Sequence, residues 1–177
     1  MKKIAVLLLV ILSMDLSAQV HWMTLSEAVQ AQKQSPKKIF IDFYADWCGP
    51  CKIMDKKTYT NPVIINELNS NYYPVKLNAE TSEPITMYGK TFENPGFTKG
   101  KSRNSLHEFT KYMNVSTLPS VVFLDEKAKP ITILNGLLLA KEIEPYLSMI
   151  ANDDYKKIQT RAEWDDYQRK FKSKIKN

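Results

Sequence analysis

Apolar and polar positions along the chain fall into runs with distinct periods. The run KKIFIDFYA, residues 37–45, is β-branched, aromatic and nearly continuous, which predicts a central strand covered on both faces. Before it, residues 24–34 open with Thr24 and Glu27 in capping-box spacing and predict a short helix ended by Pro36. After it, CGPC opens a helix expected to reach about residue 59, and Asn61-Pro62 starts a second helical piece to about residue 68. YYPVKLN, residues 72–78, reads as the next strand.

Between residues 79 and 104 the periodicity fades. Three of the chain's five glycines, Gly89, Gly96 and Gly100, lie there, and Asn94-Pro95-Gly96 is a turn signal, so a long loop or loosely structured insert is expected. Residues 105–113 place Leu106, Phe109 and Met113 on one helical face. SVVFLD and ITILNG, residues 120–125 and 131–136, flank the turn EKAKP and predict an antiparallel hairpin, and residues 141–150 predict a closing helix. Trp164, Tyr167, Phe171 and Ile175 recur at helical spacing in a C-terminal extension, 151–177, whose apolar stripe is expected to pack on the domain. The order of elements predicts an α/β fold, a central mixed sheet with helices on both faces.

Composition changes this picture mainly at the N-terminus. Lys2 and Lys3 precede nine apolar residues, 4–12, and a small polar run ends at Ser17-Ala18-Gln19, the layout of a secretory signal peptide over residues 1–18. The apolar run is too short to span a bilayer, which takes roughly 20 residues. The remaining chain, 19–177, suits one domain with one core. The formal charge is +6, but the 25 basic residues are dispersed. The densest group, Lys170, Lys172, Lys174 and Lys176, shares its tail with Asp153, Asp154, Glu163, Asp165 and Asp166, so a solvated face fits better than a nucleic-acid patch.

The two cysteines, Cys48 and Cys51, are separated only by Gly49 and Pro50. A staple, a pair of zinc ligands and a redox couple are the readings that this spacing opens.

The motifs resemble the thioredoxin-fold family over about residues 36–150. IDFYADWCGPCK supplies a strand-to-helix junction, VKLN the following strand, and VSTLPSVVFLD the segment where the family keeps a cis-proline. The run from Tyr44 to Tyr59 is also similar to thioredoxin-like domains of exported bacterial reductases, including the periplasmic terminal domain of the membrane electron transporter DsbD. Two departures stand out: Tyr44 replaces the tryptophan usual in cytosolic thioredoxins, and the stretch from Asn78 to Tyr112 is longer than theirs.

A staple between residues so close would restrict the unfolded chain little. Zinc needs about four ligands, and His21 and His107 are the only histidines, so no metal or other cofactor is expected. The redox couple is the preferred reading. Cys48, at a helix N-terminus that favours the thiolate, is the expected nucleophile. Cys51, one turn later and expected to be the more buried, is the resolving thiol.

The resemblance assigns further roles. Asp42, an acid inside an apolar strand, is expected to accept the Cys51 proton and to have a raised pKa. Lys76 matches the family lysine that modulates that aspartate. Pro119 is the expected cis-proline, with the backbone of Leu118 pairing with an extended substrate, and Trp47, Gly49 and Pro50 complete the substrate-contacting surface. The Gly-Pro dipeptide is that of reducing thioredoxins.

The expected activity is that of an exported thiol-disulfide oxidoreductase in a bacterial periplasm. It would reduce protein disulfides as a monomer, re-reduced by a membrane-linked donor. The alternatives are a disulfide oxidase or isomerase, or a client-specific binding module of the same fold.

Overall fold

A computed structural model of the chain describes residues 19–176; the expected signal peptide lies outside them. Four strands form the main sheet: β1 (Lys38–Tyr44), β2 (Tyr72–Asn78), β5 (Ser120–Leu124) and β6 (Pro130–Asn135), in the order β2-β1-β5-β6. β2 runs parallel to β1, while β5 is antiparallel to both β1 and β6. Among the described residues six α-helices accompany them: α1 (Leu25–Gln34), α2 (Gly49–Lys57), α3 (Pro62–Asn71), α4 (Glu108–Tyr112), α5 (Ala140–Ala151) and α6 (Arg161–Lys170). This is the thioredoxin fold with an insertion and a C-terminal helix.

The nearly unbroken apolar run of β1 has the physical cause expected of it: both faces are covered. Phe40 points into one core with Met54 of α2, Leu68 of α3, Tyr72, Phe123 and Leu147 of α5. Ile39, Ile41 and Phe43 point into a second core with Leu25 of α1, Val75, Phe92, Phe109 and Val122. Phe40 meets Phe123 and Tyr72 edge to face, at 5.3 and 6.3 Å between ring centres. Its truncation to Ala should cost about 3–5 kcal/mol.

Local signals set the ends of most elements. Thr24 and Glu27 cap α1 reciprocally, and Asn61 caps α3 with Pro62 in its first turn. α3 runs to Asn71, beyond the expected end near residue 68, because Leu68 is buried and the strand follows without a loop.

The stretch 79–104, expected as a long loop or loosely structured insert, is an insert that holds one short hairpin: β3 (Ile85–Met87) and β4 (Lys90–Phe92) pair and bury Met87 and Phe92. The helix expected over 105–113 is only Glu108–Tyr112. The backbone N–H of His107 is spent on Ala79 and its side chain caps α4, so the residues before it belong to the insert.

The C-terminal stripe packs on the first core. Trp164 stacks on Tyr146 of α5 at 4.4 Å, and Tyr167 and Ile175 join the same cluster. α6 itself ends at Lys170. Beyond it, Ser173 Oγ and the Lys174 N–H donate to the buried carboxylate of Glu144 at 2.5 and 2.6 Å, and Lys174 Nζ reaches Glu67 of α3 at 2.6 Å.

Candidate active site

Cys48 is the N-cap of α2. Its sulfur accepts the Cys51 N–H at 3.2 Å, where a Ser or Asp oxygen sits in most helices, and Pro50 in the first turn removes a donor that would otherwise need a partner. The two cysteines form a disulfide with Cα atoms 5.3 Å apart. Cys51 was expected to be the more buried of the pair, but the two are buried alike, Cys48 at 1% exposure and Cys51 at 3%. Ala45 shares a small buried apolar cluster with the two cysteines, and Tyr44 and Leu118 pack against it.

Beneath the disulfide the chain buries a carboxylate. Asp42 shares the α2-facing side of β1 with Phe40 and is 2% exposed, which removes the possibility of an ordinary surface acid. Its cross-strand neighbour on β2 is Lys76. Lys76 Nζ bonds Asp42 Oδ2 at 2.8 Å and also pairs with Asp55, one turn beyond Cys51 on α2. Three rings, Trp22, Tyr44 and Tyr59, each lie 5.1 Å from the ammonium, a cation–π surround for a charge lifted partly out of water. Tyr44, where cytosolic thioredoxins carry tryptophan, thus keeps an aromatic face on this lysine.

Burial drives the Asp42 pKa up, against the pull of Lys76, and the charge of Asp55 adds to the rise. Burial works against the Lys76 charge, but Asp42 and Asp55 outweigh it and hold its pKa above the ordinary lysine value. Asp42 Oδ1 and the Tyr59 hydroxyl are both buried, and no hydrogen bond of normal geometry reaches either from the described residues. The Tyr59 pKa is pushed up by burial and then by the nearby Asp42 charge.

On the other side of the disulfide, the Leu118–Pro119 peptide bond is cis. The carbonyl of Pro119 accepts the N–H of Gly136, a residue at φ +90° that takes this conformation without a Cβ clash. The following Leu137 and Leu139 are exposed, while Leu138 packs into the core and its carbonyl accepts the Thr58 hydroxyl at the end of α2. The chain thus passes Pro119 at Gly136 and exposes Leu137 next in sequence. The tight return at Asn135-Gly136 was its available signal.

The rim nearest Cys48 is built by the insert. Trp47, 36% exposed, donates its indole N–H to Glu80 Oε1 at 3.0 Å, and the Arg103 guanidinium lies 4.0 Å over its ring. Glu80 Oε2 accepts the Asn104 N–H at 2.8 Å. Asn94 donates to the carbonyls of Glu80, Thr81 and Ser105, which ties the insert's base together. No sequence signal joined Glu80 or Arg103 to Trp47, because their meeting depends on how the insert folds back. Asp55 was more legible, since it lies four residues after Cys51 on the same helix. Among the described residues no group of three or more His, Cys, Asp or Glu could hold a metal ion, and no helix is long and apolar enough to cross a membrane.

A sheet ordered in this way, with a disulfide at a helix N-terminus facing a cis-proline, defines a thioredoxin-fold redox domain. The family model for the thioredoxin-like domain matches residues 25–151, and the chain belongs to that family. It is 28% identical over 116 residues to the thiol:disulfide interchange protein DsbD of Haemophilus ducreyi, a match covering 64% of this chain and 17% of that protein. It is 37% identical over 73 residues to Thioredoxin-T of Drosophila melanogaster, covering 41% of this chain and 45% of that one. The chain thus spans only a small part of the DsbD protein it matches.

Among solved structures, the DsbH oxidoreductase superposes with a TM-score of 0.52 at 18% identity, over 81% of this chain and 88% of that one. A thioredoxin from Thermus thermophilus gives 0.55 at 17% identity, over 75% and 87%. At these identities the superpositions speak for the fold alone. The relation to DsbD and thioredoxins is distant.

Proposed function

We propose that this protein is an exported thiol-disulfide oxidoreductase that reduces disulfides in client proteins. The observation that carries the reading is the Cys51 N–H aimed at Cys48 Sγ at the start of α2. A sulfur in that place receives a backbone donor and the positive end of the helix dipole, and both stabilise a thiolate ready to attack.

In the reduced protein the Cys48 thiolate forms a bond to one sulfur of the client disulfide, and the client S–S bond breaks. The departing client sulfur leaves as a thiolate and takes up a proton. Cys51 then loses its proton, attacks Cys48 Sγ and releases the second client sulfur, leaving the Cys48–Cys51 disulfide. Two electrons pass to the client. Asp42 is the acceptor for the Cys51 proton: Lys76 engages Oδ2, Oδ1 receives no hydrogen bond of normal geometry among the described residues although the Tyr59 hydroxyl is near the carboxylate, and a raised pKa suits Asp42 to hold a proton transiently. Lys76 is a positioning residue that tunes Asp42. Leu118 and Pro119 present backbone to the client chain, and Trp47, Gly49, Pro50 and Leu137 its apolar contact.

The Gly-Pro dipeptide gives the Cys48 thiolate no imidazolium partner, which favours the reducing direction. Residues 1–18 act as the export signal, residues 19–150 as the redox domain and 151–177 as an extension packed on it. The protein works as a monomer, and a membrane-linked dithiol restores the reduced state. Insulin reduction with dithiothreitol as electron source tests the core of this reading: the mature protein accelerates it and Cys48→Ala does not. Undiminished turnover in Cys48→Ala would remove the nucleophile assigned here. Equilibration with glutathione tests direction, and a potential near −120 mV, that of a strong oxidase, would replace the reductase with the oxidase.

A further inference from the structure

The insert carries Lys99, Lys101 and Arg103 within residues 98–104, with no acid among them. All three are exposed, and none forms an ion pair among the described residues. The stretch is nevertheless held in place beside the disulfide. The Lys101 N–H donates to the Thr98 carbonyl at 3.2 Å and the Thr98 N–H to Asn104 Oδ1 at 2.6 Å, which closes it into a turn. Glu80 then bolts the turn to the active-site rim, with one oxygen on the Asn104 N–H and the other on the Trp47 indole. Arg103 lays its guanidinium 4.0 Å over the indole of Trp47, the residue that precedes Cys48 in the chain.

The insert also carries the exposed acids Glu83 and Glu93, but they lie outside the turn 98–104 that holds the three cations. Glu80 is buried with both oxygens engaged, and Asp46 is the exposed acid in the small cleft that Trp47, Glu80 and Lys101 line. Across the cysteines, Lys52 of α2 is exposed and also without an ion pair among the described residues. A guanidinium stacked on an aromatic face still has N–H donors for a carboxylate, in the paired geometry that lysine cannot match. Rim charges of this kind act chiefly on encounter rate, and salt weakens them.

We propose that the insert turn is the client-recognition element, with Arg103, Lys99 and Lys101 selecting protein disulfides flanked by Asp or Glu. The inference rests on the reductase reading above and names the substrate class for the same site. The chemistry is unchanged: the client disulfide gains two electrons and two protons, and the Cys48–Cys51 dithiol becomes the disulfide.

Three synthetic peptides test it, identical except that glutamate, glutamine or lysine flanks an intramolecular disulfide. The mature protein is reduced with dithiothreitol, freed of it, and mixed with each peptide in excess while single-turnover oxidation of the dithiol is followed. The glutamate peptide should react roughly fivefold or more faster than the lysine peptide at low salt, and the ratio should shrink as ionic strength rises. Arg103→Glu should invert the order of the two, a result that mere loosening of the turn does not produce, and Lys101→Gln should lower the ratio. Equal rates for the three peptides, or a ratio indifferent to both salt and Arg103→Glu, overturn this inference and leave the reductase standing. Failure to oxidise the dithiol with any peptide, together with failure in the insulin assay, overturns both.

Discussion

The ground beneath the disulfide and the rim beside it are made of the same parts in opposite settings. Beneath, the Asp42 carboxylate, the Lys76 ammonium and the rings of Trp22, Tyr44 and Tyr59 are largely withdrawn from water. Beside, the Glu80 carboxylate, the Arg103 guanidinium and the ring of Trp47 meet at the surface, with only the carboxylate buried. In the first region burial makes each charge expensive, so the groups bond one another directly and a pKa moves. In the second the cation stays in solvent, bonds no carboxylate and remains available to a partner. The chemistry belongs to the first region and the choice of client to the second, in the reading proposed above.

The largest effect should come from separating the buried pair. Lys76→Met removes the cation from a carboxylate that cannot reach water, and should lower stability by about 3 kcal/mol at pH 7. The deficit should narrow as the pH falls and Asp42 takes a proton; urea midpoints at pH 7 and pH 4 measure both. An equal deficit at the two pH values would mean that Lys76 contributes packing rather than charge.

Asp42→Asn should slow resolution of the mixed disulfide by on the order of 10²-fold, the low end for general acid–base catalysis, with attack by Cys48 nearly unaffected. Rapid quenching separates the two steps, and slowed attack with normal release would refute the role given to Asp42.

The same substitution should make the protein more stable at neutral pH. An acid whose pKa is raised in the folded state binds its proton more tightly there than in the unfolded chain. Its contribution is fully favourable below the unfolded value of 3.8 and is lost as the pH rises through the folded one. Replacing it with a neutral amide avoids that loss, so the melting temperature at pH 7 should rise by at least about 2 °C, and the difference should vanish in acid. Lys76 keeps Asp55 as a partner in this variant.

The smallest effect belongs to the rim. Glu80→Gln sets an amide donor against either the Trp47 or the Asn104 N–H. It should raise hydrogen exchange at the Asn104 amide about tenfold, while global stability changes by less than about 1 kcal/mol. A large drop in the urea midpoint would show that the insert is part of the cooperative core, and the contrast between the two regions would fall.

The contrast also explains what could be read from the sequence. β1 was legible as a doubly covered strand because its apolar run is long, and residues 72–78 and the β5–β6 hairpin because alternation and turn residues mark them. Asp42 was legible because a single acid in such a run needs a partner. β3 and β4 were not: each is three residues long, with only Met87 and Phe92 buried, too short for a period to show. The Glu80–Trp47 bond joins residues 33 apart through a turn that no local pattern positions. The equal burial of the cysteines was missed because the covering atoms of Leu118 come from a distant segment.

The strap at the far end of the molecule has a consequence for the order in which the protein can be completed. Glu144 is 1% exposed and its two oxygens accept from Ser173 and the Lys174 N–H, while Glu67 pairs with a lysine 107 residues downstream. A chain made or threaded from its N-terminus therefore presents the whole disulfide end, cysteines and cis-proline included, before Glu144 of α5 has its two tail donors and Glu67 of α3 its lysine. Until residues 173 and 174 are in place, Glu144 lacks these two donors and Glu67 keeps the Asn71 amide without the Lys174 ammonium, so drawing the two carboxylates out of water costs more. The closing contacts of α3 and α5 are thus supplied by the tail, well away from the sulfur chemistry.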